Sequence, residues 1–303
     1  TQVVRGGLAR DPAGSPDGAR IAYSYTPPLP AVRGPGGLLP LPVTDVYAMN
    51  ADGSDAKVLV AHDAPGVGYD TPVWAPDGKS LFVTYTELVM ESNIVKDQIV
   101  EVARVPLDGG TRQTLAMYGM SPTVSPDGTR LAFISHQPEG VALLLADAAG
   151  QGTKALVPPG RMDGLASPHF SPDGRQVVFS AIAPMAPIPT VTPLPAPAGR
   201  AAAGARFGAV ARDLTAALVM TLLPRAAGAH GLPMDLFVIG VDGTAPRRLT
   251  QLGEDSPAAV WSPDGTRLAI LSGGGLYVVN VDGSNLTSID QNGGHGAVDW
   301  RSA

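Results

Sequence analysis

The stretch WSPDGTRLAILSGGGLYVVNVDGSNLT, Trp261 to Thr287, holds two short apolar runs, each tied to an Asp-Gly turn. In its Ser-Pro-Asp-Gly unit Pro fixes φ, Asp accepts from nearby backbone N–H groups and Gly tolerates positive φ, so the unit is a β-turn. The β-branched and apolar residues that follow alternate as a strand does. The first half of the stretch recurs as GSPDGARIAYSY from Gly14, WAPDGKSLFVTYT from Trp74, VSPDGTRLAFIS from Val124 and FSPDGRQVVFSA from Phe170.

A second unit lies downstream of each turn: DVYAMNADGSDAKVLV, EVARVPLDGGTRQTL, LLLADAAGQGTKAL, DLFVIGVDGTAPRRLT and LYVVNVDGSNLTSI. Each reads as a strand, a turn usually built on Asp-Gly, and a short final strand. Four antiparallel strands recurring at roughly 45–60 residues predict the blades of a β-propeller. The quoted residues resemble the WD40-like PD40 repeats of the TolB-type β-propeller family. The resemblance implies an all-β ring and protein–protein contacts in a bacterial envelope, though a fold does not transmit a partner. TolB-type proteins carry a separate α/β domain ahead of the propeller. Here the first turn begins at Ser15, so the resemblance is to the propeller part alone.

The expectation is one all-β propeller domain over residues 1–303, with five recognisable blades and closure as five or as six. The C-terminal GAVDWRSA puts Trp300 where Trp74 and Trp261 stand in their repeats. That strand, or the N-terminal TQVVRG, is expected to complete a terminal blade and so remove an exposed edge. Trp74, Phe170, Trp261 and Trp300 are the expected aromatic anchors between blades. The turn residues Asp17, Asp77, Asp127, Asp173 and Asp264 fall one to a blade, whereas calcium needs several oxygens on one centre, so they read as turn-formers.

Three departures interrupt the pattern. A Pro-rich loop occupies residues 26–43, and residues 183–234 hold a Pro-rich arm followed by a helix candidate over 205–224. That helix would place Phe207, Leu214 and Leu218 on an apolar stripe, with Val219, Met220 and Leu223 beyond it. These residues either pack on the propeller or dock a partner protein or membrane surface. The second blade instead has a long apolar hairpin, LFVTYTELVMESNIVKDQIVEVARV. All three join the same pair of strands, so they are expected to project from one face as a recognition surface.

The chain has 44% hydrophobic and 16% charged residues, net charge −6 and no cysteine. With no Lys/Arg cluster, binding through nucleic-acid phosphates is not expected. The absence of thiols rules out disulfides and thiolate metal sites and fits a periplasmic or extracellular setting. No G-x-S-x-G elbow occurs, and the five histidines show no paired metal spacing. No cofactor is expected. His169 and Asp299, on innermost strands, are the candidate channel-lining residues. The expected function is a non-catalytic extracytoplasmic binding propeller. The alternatives are an accessory subunit of a membrane-bound complex, docked by the Pro-rich arms and the 205–224 helix, or a lactonase- or lyase-type enzyme with a channel-mouth site.

Overall fold

The computed structural model describes residues 7–28, 43–91, 94–182, 233–294 and 296–300. Most of the 26–43 loop and of the 183–234 insertion lies outside the described residues. So does the whole helix candidate 205–224, with Phe207, Leu214, Leu218, Val219, Met220 and Leu223. Among the described residues no helix is long and apolar enough to cross a membrane.

Five four-stranded antiparallel sheets follow one another along the chain, each with its strands in sequence order. Blade 1 is β1 (Leu8–Gly14), β2 (Arg20–Thr26), β3 (Asp45–Asn50) and β4 (Lys57–Val60); blade 2 is β5 (Val67–Trp74), β6 (Ser80–Glu91), β7 (Ile94–Pro106) and β8 (Gln113–Met117). Blade 3 is β9 (Gly119–Val124), β10 (Arg130–Gln137), β11 (Gly140–Asp147) and β12 (Lys154–Val157). Blade 4 is β13 (Ala166–Phe170), β14 (Gln176–Ile182), β15 (Met234–Gly240) and β16 (Arg247–Arg248), and blade 5 is β17 (Ala258–Trp261), β18 (Arg267–Ser272), β19 (Gly275–Asn280) and β20 (Thr287–Asp290). The chain is a β-propeller.

The repeated turn makes the first hairpin of every blade. In blade 3, Gly128 N–H donates to the Ser125 carbonyl at 2.8 Å, closing the β-turn. The Ser125 hydroxyl donates to Asp127 Oδ1 at 2.5 Å and accepts from Arg130 N–H at 2.9 Å, which ties the turn to the next strand. Ser15, Ser171 and Ser262 repeat both bonds. Blade 2 has Ala75 at that position and keeps only the backbone turn and the Lys79 N–H to Asp77 bond. These serines, and not only the Pro-Asp-Gly that the sequence advertises, clamp the hairpin. The hydroxyl bond is also the main reason that Asp17 and Asp173 are held below the usual carboxylate range and Asp127 and Asp264 lie at about 2.

Blades are joined by apolar seams. Ala22 and Val46 of blade 1 meet Trp74, Leu81 and Val83 of blade 2. Phe82 and Val102 meet Leu131, Phe133 and Leu144, while Ile134, Leu143 and Leu145 meet Phe170, Val177 and Phe179. Val178, Leu236 and Val238 meet Trp261, Leu268 and Ile270. The sheets of blades 2, 3 and 4 are therefore apolar on both faces, so neighbours are needed for burial. The anchors take part directly. Trp74, Phe170 and Trp261 are buried, and the Trp74 and Trp261 indoles donate backwards, to the carbonyls of Ala13 at 2.9 Å and His169 at 3.1 Å. Arg20 and Arg130 lie over the rings of Trp74 and Phe170 in the following blade, at 4.8 and 5.9 Å from the ring centroids.

Blades 5 and 1 share no such seam among the described residues. Residues 296–300 lie between them. Gly14 N–H donates to Asp299 Oδ2 at 2.9 Å, and Arg267 sits over the Trp300 ring at 5.2 Å, as Arg20 does over Trp74. Trp300 thus stands to Arg267 as Trp74 stands to Arg20, but it is half-buried and its segment belongs to none of the five sheets.

Candidate functional site

The innermost strands and Ala297, Val298 and Asp299 surround an axial cavity of about 430 Å³. Its wall repeats a dipeptide: Asp11-Pro12, Thr71-Pro72, Ser121-Pro122 and Ser167-Pro168 all face it. The residue before each proline has positive φ, at 52°, 49°, 51° and 49°, and Ser256 before Pro257 has 45°. A pre-proline residue is ordinarily pushed to extended conformations, so this left-handed geometry is strained. It coincides with register breaks between Arg10 and Ala13, Asp70 and Val73, and Ala166 and His169. The bulge therefore bends the innermost strands of blades 1, 2 and 4 at the cavity.

Neighbouring blades hold the bulges in place. Thr71 N–H donates to the Ser24 hydroxyl at 3.0 Å, and Ser121 N–H donates to the Thr84 hydroxyl at 2.9 Å. Ser24 and Thr84 are buried hydroxyls in second strands of the preceding blades. The Ser/Thr-Pro dipeptides were visible in the sequence. Their backbone strain was not, because it arises from contacts between blades.

His169 and Asp299, the two candidate channel residues, both line this cavity. His169 Nδ1 donates to the Phe170 carbonyl at 3.0 Å, which leaves Nε2 as the acceptor nitrogen of a neutral ring. Burial pushes its pKa down, against the opposing pull of the Phe170 carbonyl and the Asp299 charge. The imidazole is therefore uncharged at neutral pH. Further along the inner strands, Arg10 Nη2 meets Asp70 Oδ1 at 3.0 Å. Burial drives the Asp70 carboxyl up more strongly than Arg10 draws it down. Among the described residues no group of three or more His, Asp or Glu is placed to hold a metal ion.

Several charged groups that the sequence reading passed over are structural links between third and fourth strands. Asp45 accepts from the His62 backbone N–H at 2.7 Å, buried Glu101 pairs with Arg112 and accepts from Thr114 at 3.0 Å, and buried Asp235 pairs with Arg248. In blade 5, Glu254 accepts from the Ser272 hydroxyl, Gly274 N–H at 2.8 Å and Tyr277 hydroxyl at 2.9 Å. Burial raises Glu254, but those donors outweigh it and its pKa falls. For Asp45 and Asp235 the sequence signal is a carboxylate at the start of an apolar third strand.

The cavity reaches Pro16, Pro76 and Pro126 of the repeated turns. The three elaborated connections, β2 to β3, β6 to β7 and β14 to β15, leave from the other end of the blades, since successive antiparallel strands reverse. The cavity thus opens at the end of the blades that carries the repeated turns, and β2, β6 and β14 end at the other.

A ring of repeated four-stranded sheets around an axial cavity defines the class, and comparison with known proteins places it more narrowly. No family model matches the chain, and no curated protein matches it. Solved structures do. A putative TolB from Agrobacterium tumefaciens superimposes with a TM-score of 0.59 at 17% identity, covering 97% of this chain and 86% of that one. TolB from Acinetobacter baumannii gives 0.54 at 16% identity, covering 90% of this chain and 53% of that one. An oligogalacturonate lyase in complex with manganese gives 0.51 at 14% identity, covering 93% and 65%. The fold is that of the TolB-type propellers, a fold that enzymes also use.

Proposed function

We propose that this chain is a non-catalytic binding propeller of the bacterial envelope that engages a protein partner at its axial mouth. The observation that carries the reading is the cavity itself: all blades and Ala297, Val298 and Asp299 contribute to its wall, and its charged groups are engaged internally. His169 is neutral and bonded to its own strand, and Asp299 is bonded to Gly14. A rigid pocket with few convergent polar groups suits recognition of an extended segment or side chain. The TolB-type fold and the absence of cysteine support an extracytoplasmic location.

The test is crosslinking in intact cells, followed by purification, with wild type beside Ala297→Trp, which fills the cavity from its wall. The expected result is a defined crosslinked protein in the periplasmic or membrane fraction that is lost in the variant, with thermal unfolding unchanged. A partner retained equally by both proteins would move the binding surface to the face with the elaborated connections. Turnover of a small substrate that His169→Ala abolishes would replace the reading with a catalytic one.

A further inference from the structure

The turns of this propeller are rich in a reactive dipeptide. The chain has ten Asp-Gly pairs and one Asn-Gly pair, Asn292-Gly293. In such a pair the glycine nitrogen can close on the preceding side-chain Cγ, because glycine has no Cβ to shield it. Asparagine loses ammonia in that closure, and aspartic acid loses water. Both give a five-membered succinimide. Water reopens the ring to aspartate or to isoaspartate, whose main chain runs through Cβ and Cγ.

Eight of the ten Asp-Gly pairs are held against this closure. In Asp17-Gly18, Asp127-Gly128, Asp173-Gly174 and Asp264-Gly265 the serine clamp fixes the carboxylate, and the glycine N–H donates to the serine carbonyl at 2.8–2.9 Å. Asp52, Asp77, Asp242 and Asp282 accept from the backbone N–H two residues on, and their glycines also donate across the turn. A nitrogen held in a hydrogen bond is not free to attack. Among the described residues, three pairs have no bond at the glycine nitrogen: Asp108-Gly109, Asp163-Gly164 and Asn292-Gly293. A carboxyl group loses water only when protonated, a rare state at neutral pH, whereas an amide needs no such step. Asn292 and Gly293 are both exposed.

We infer that Asn292-Gly293 is a site of spontaneous deamidation, and that the change loosens the segment beyond it that lines the axial cavity. The Gly293 nitrogen bonds to Asn292 Cγ, the Cγ–Nδ2 bond breaks, and ammonia leaves with the glycine amide proton. Water then adds to one ring carbonyl and leaves a carboxylate at position 292. The surroundings have no slack for this product. Asn292 N–H and Nδ2 both donate to Asp290 Oδ1, at 2.9 and 2.8 Å. A carboxylate in place of the amide turns that contact into a repulsion between like charges. A Cβ on Gly293 would run into the Gly273 carbonyl, and Gly294 N–H donates to the Ser272 carbonyl at 2.9 Å. The extra main-chain atom of isoaspartate has to be absorbed there. Ala297, Val298 and Asp299 follow shortly and face the cavity, with Asp299 bonded to Gly14 N–H. This chemistry is independent of what binds at the axial mouth.

The test is to age the folded 303-residue protein in heavy-oxygen water at neutral pH, then map aspartate and isoaspartate by proteolysis and mass spectrometry. A synthetic peptide of residues 286–297 is aged beside it. Position 292 should convert in the folded protein within about tenfold of the peptide rate, because exposed turns open at little cost. Among the Asp-Gly pairs, isoaspartate should gather at 108 and 163. A slower folded rate at 292, or isoaspartate gathering at the serine-clamped turns, would overturn the site. In fully converted protein, hydrogen exchange of Gly14 N–H should speed by at least about tenfold as Asp299 releases it. Unchanged exchange there would overturn the loosening. Asn292→Gln, whose closure would need a six-membered ring, should show neither the mass change nor the faster exchange; either one in that variant would also refute the assignment.

Discussion

Trp261 and Trp300 occupy the same place in the repeat and differ in what lies around them. Trp261 is 4% exposed in the seam between blades 4 and 5 and donates to the His169 carbonyl at 3.1 Å. Trp261→Ala should cost about 3–5 kcal/mol for the lost ring and its cavity, and about 1 kcal/mol more for the stranded carbonyl. Trp300 is half-buried, and its described ring contact is Arg267 at 5.2 Å. Trp300→Ala should lose about 1–2 kcal/mol of partial burial and about 0.5–1 kcal/mol of cation–π attraction. The assay is urea unfolding followed by far-ultraviolet circular dichroism, with the slopes compared so that a midpoint shift reads as stability. If Trp300→Ala proves as damaging as Trp261→Ala, the sixth position is packed like the others and the asymmetry argued from exposure is wrong. A Trp261→Ala cost under about 1 kcal/mol would remove the anchor role altogether.

Other outcomes follow from the same structure. Asp127 and Asp264 have folded-state pKa values of about 2 against 3.8 for the free side chain. Their contribution is complete above pH 3.8 and is lost as pH falls through 2, so acid unfolding should steepen in that window, and NMR titration of the two carboxyls should show it. Arg248→Ala strands the Asp235 carboxylate, which is 0% exposed, and should cost about 3 kcal/mol by chemical denaturation; a neutral result would mean that Thr250 and Gly253 suffice. Gly78 and Gly150 both have positive φ, but a Cβ at 78 meets open space while one at 150 runs into the Leu115 carbonyl oxygen. Gly78→Ala should cost about 1 kcal/mol and Gly150→Ala about 3 kcal/mol in thermal or urea unfolding; equal costs would contradict the packing at Gly150.

The blades were legible because each is local. The Pro-Asp-Gly turn, the alternating strand and the second Asp-Gly turn all lie within one repeat, so Ser125 through Asp147 announce their own hairpins. His169 and Asp299 were singled out by their phase relative to Phe170 and Trp300, and both face the cavity, Asp299 from a segment outside the five sheets. What the sequence hid depends on partners far away in the chain. The bulge at Ser121 rests on Thr84, and the Trp74 indole rests on Ala13. The serine clamp of the turns was also missed, because a Ser before Pro reads as turn composition until its hydroxyl is seen bridging Asp and the next strand.

The two halves of blade 4 are separated in the sequence as those of no other blade are. β14 ends at Ile182 and β15 begins at Met234, whereas in blade 3 only Pro138 and Glu139 part the corresponding strands. In the unfolded chain, bringing such distant ends together costs about 0.6 kcal/mol for each doubling of the intervening length, or about 2.5–3 kcal/mol more than the short turn. Nucleation should therefore start in the short-linked blades, with the β14–β15 ladder zipping late. Until it does, β14 presents an open apolar edge to the surroundings, and that interval is when newly made chains are most exposed to aggregation and to chaperone capture.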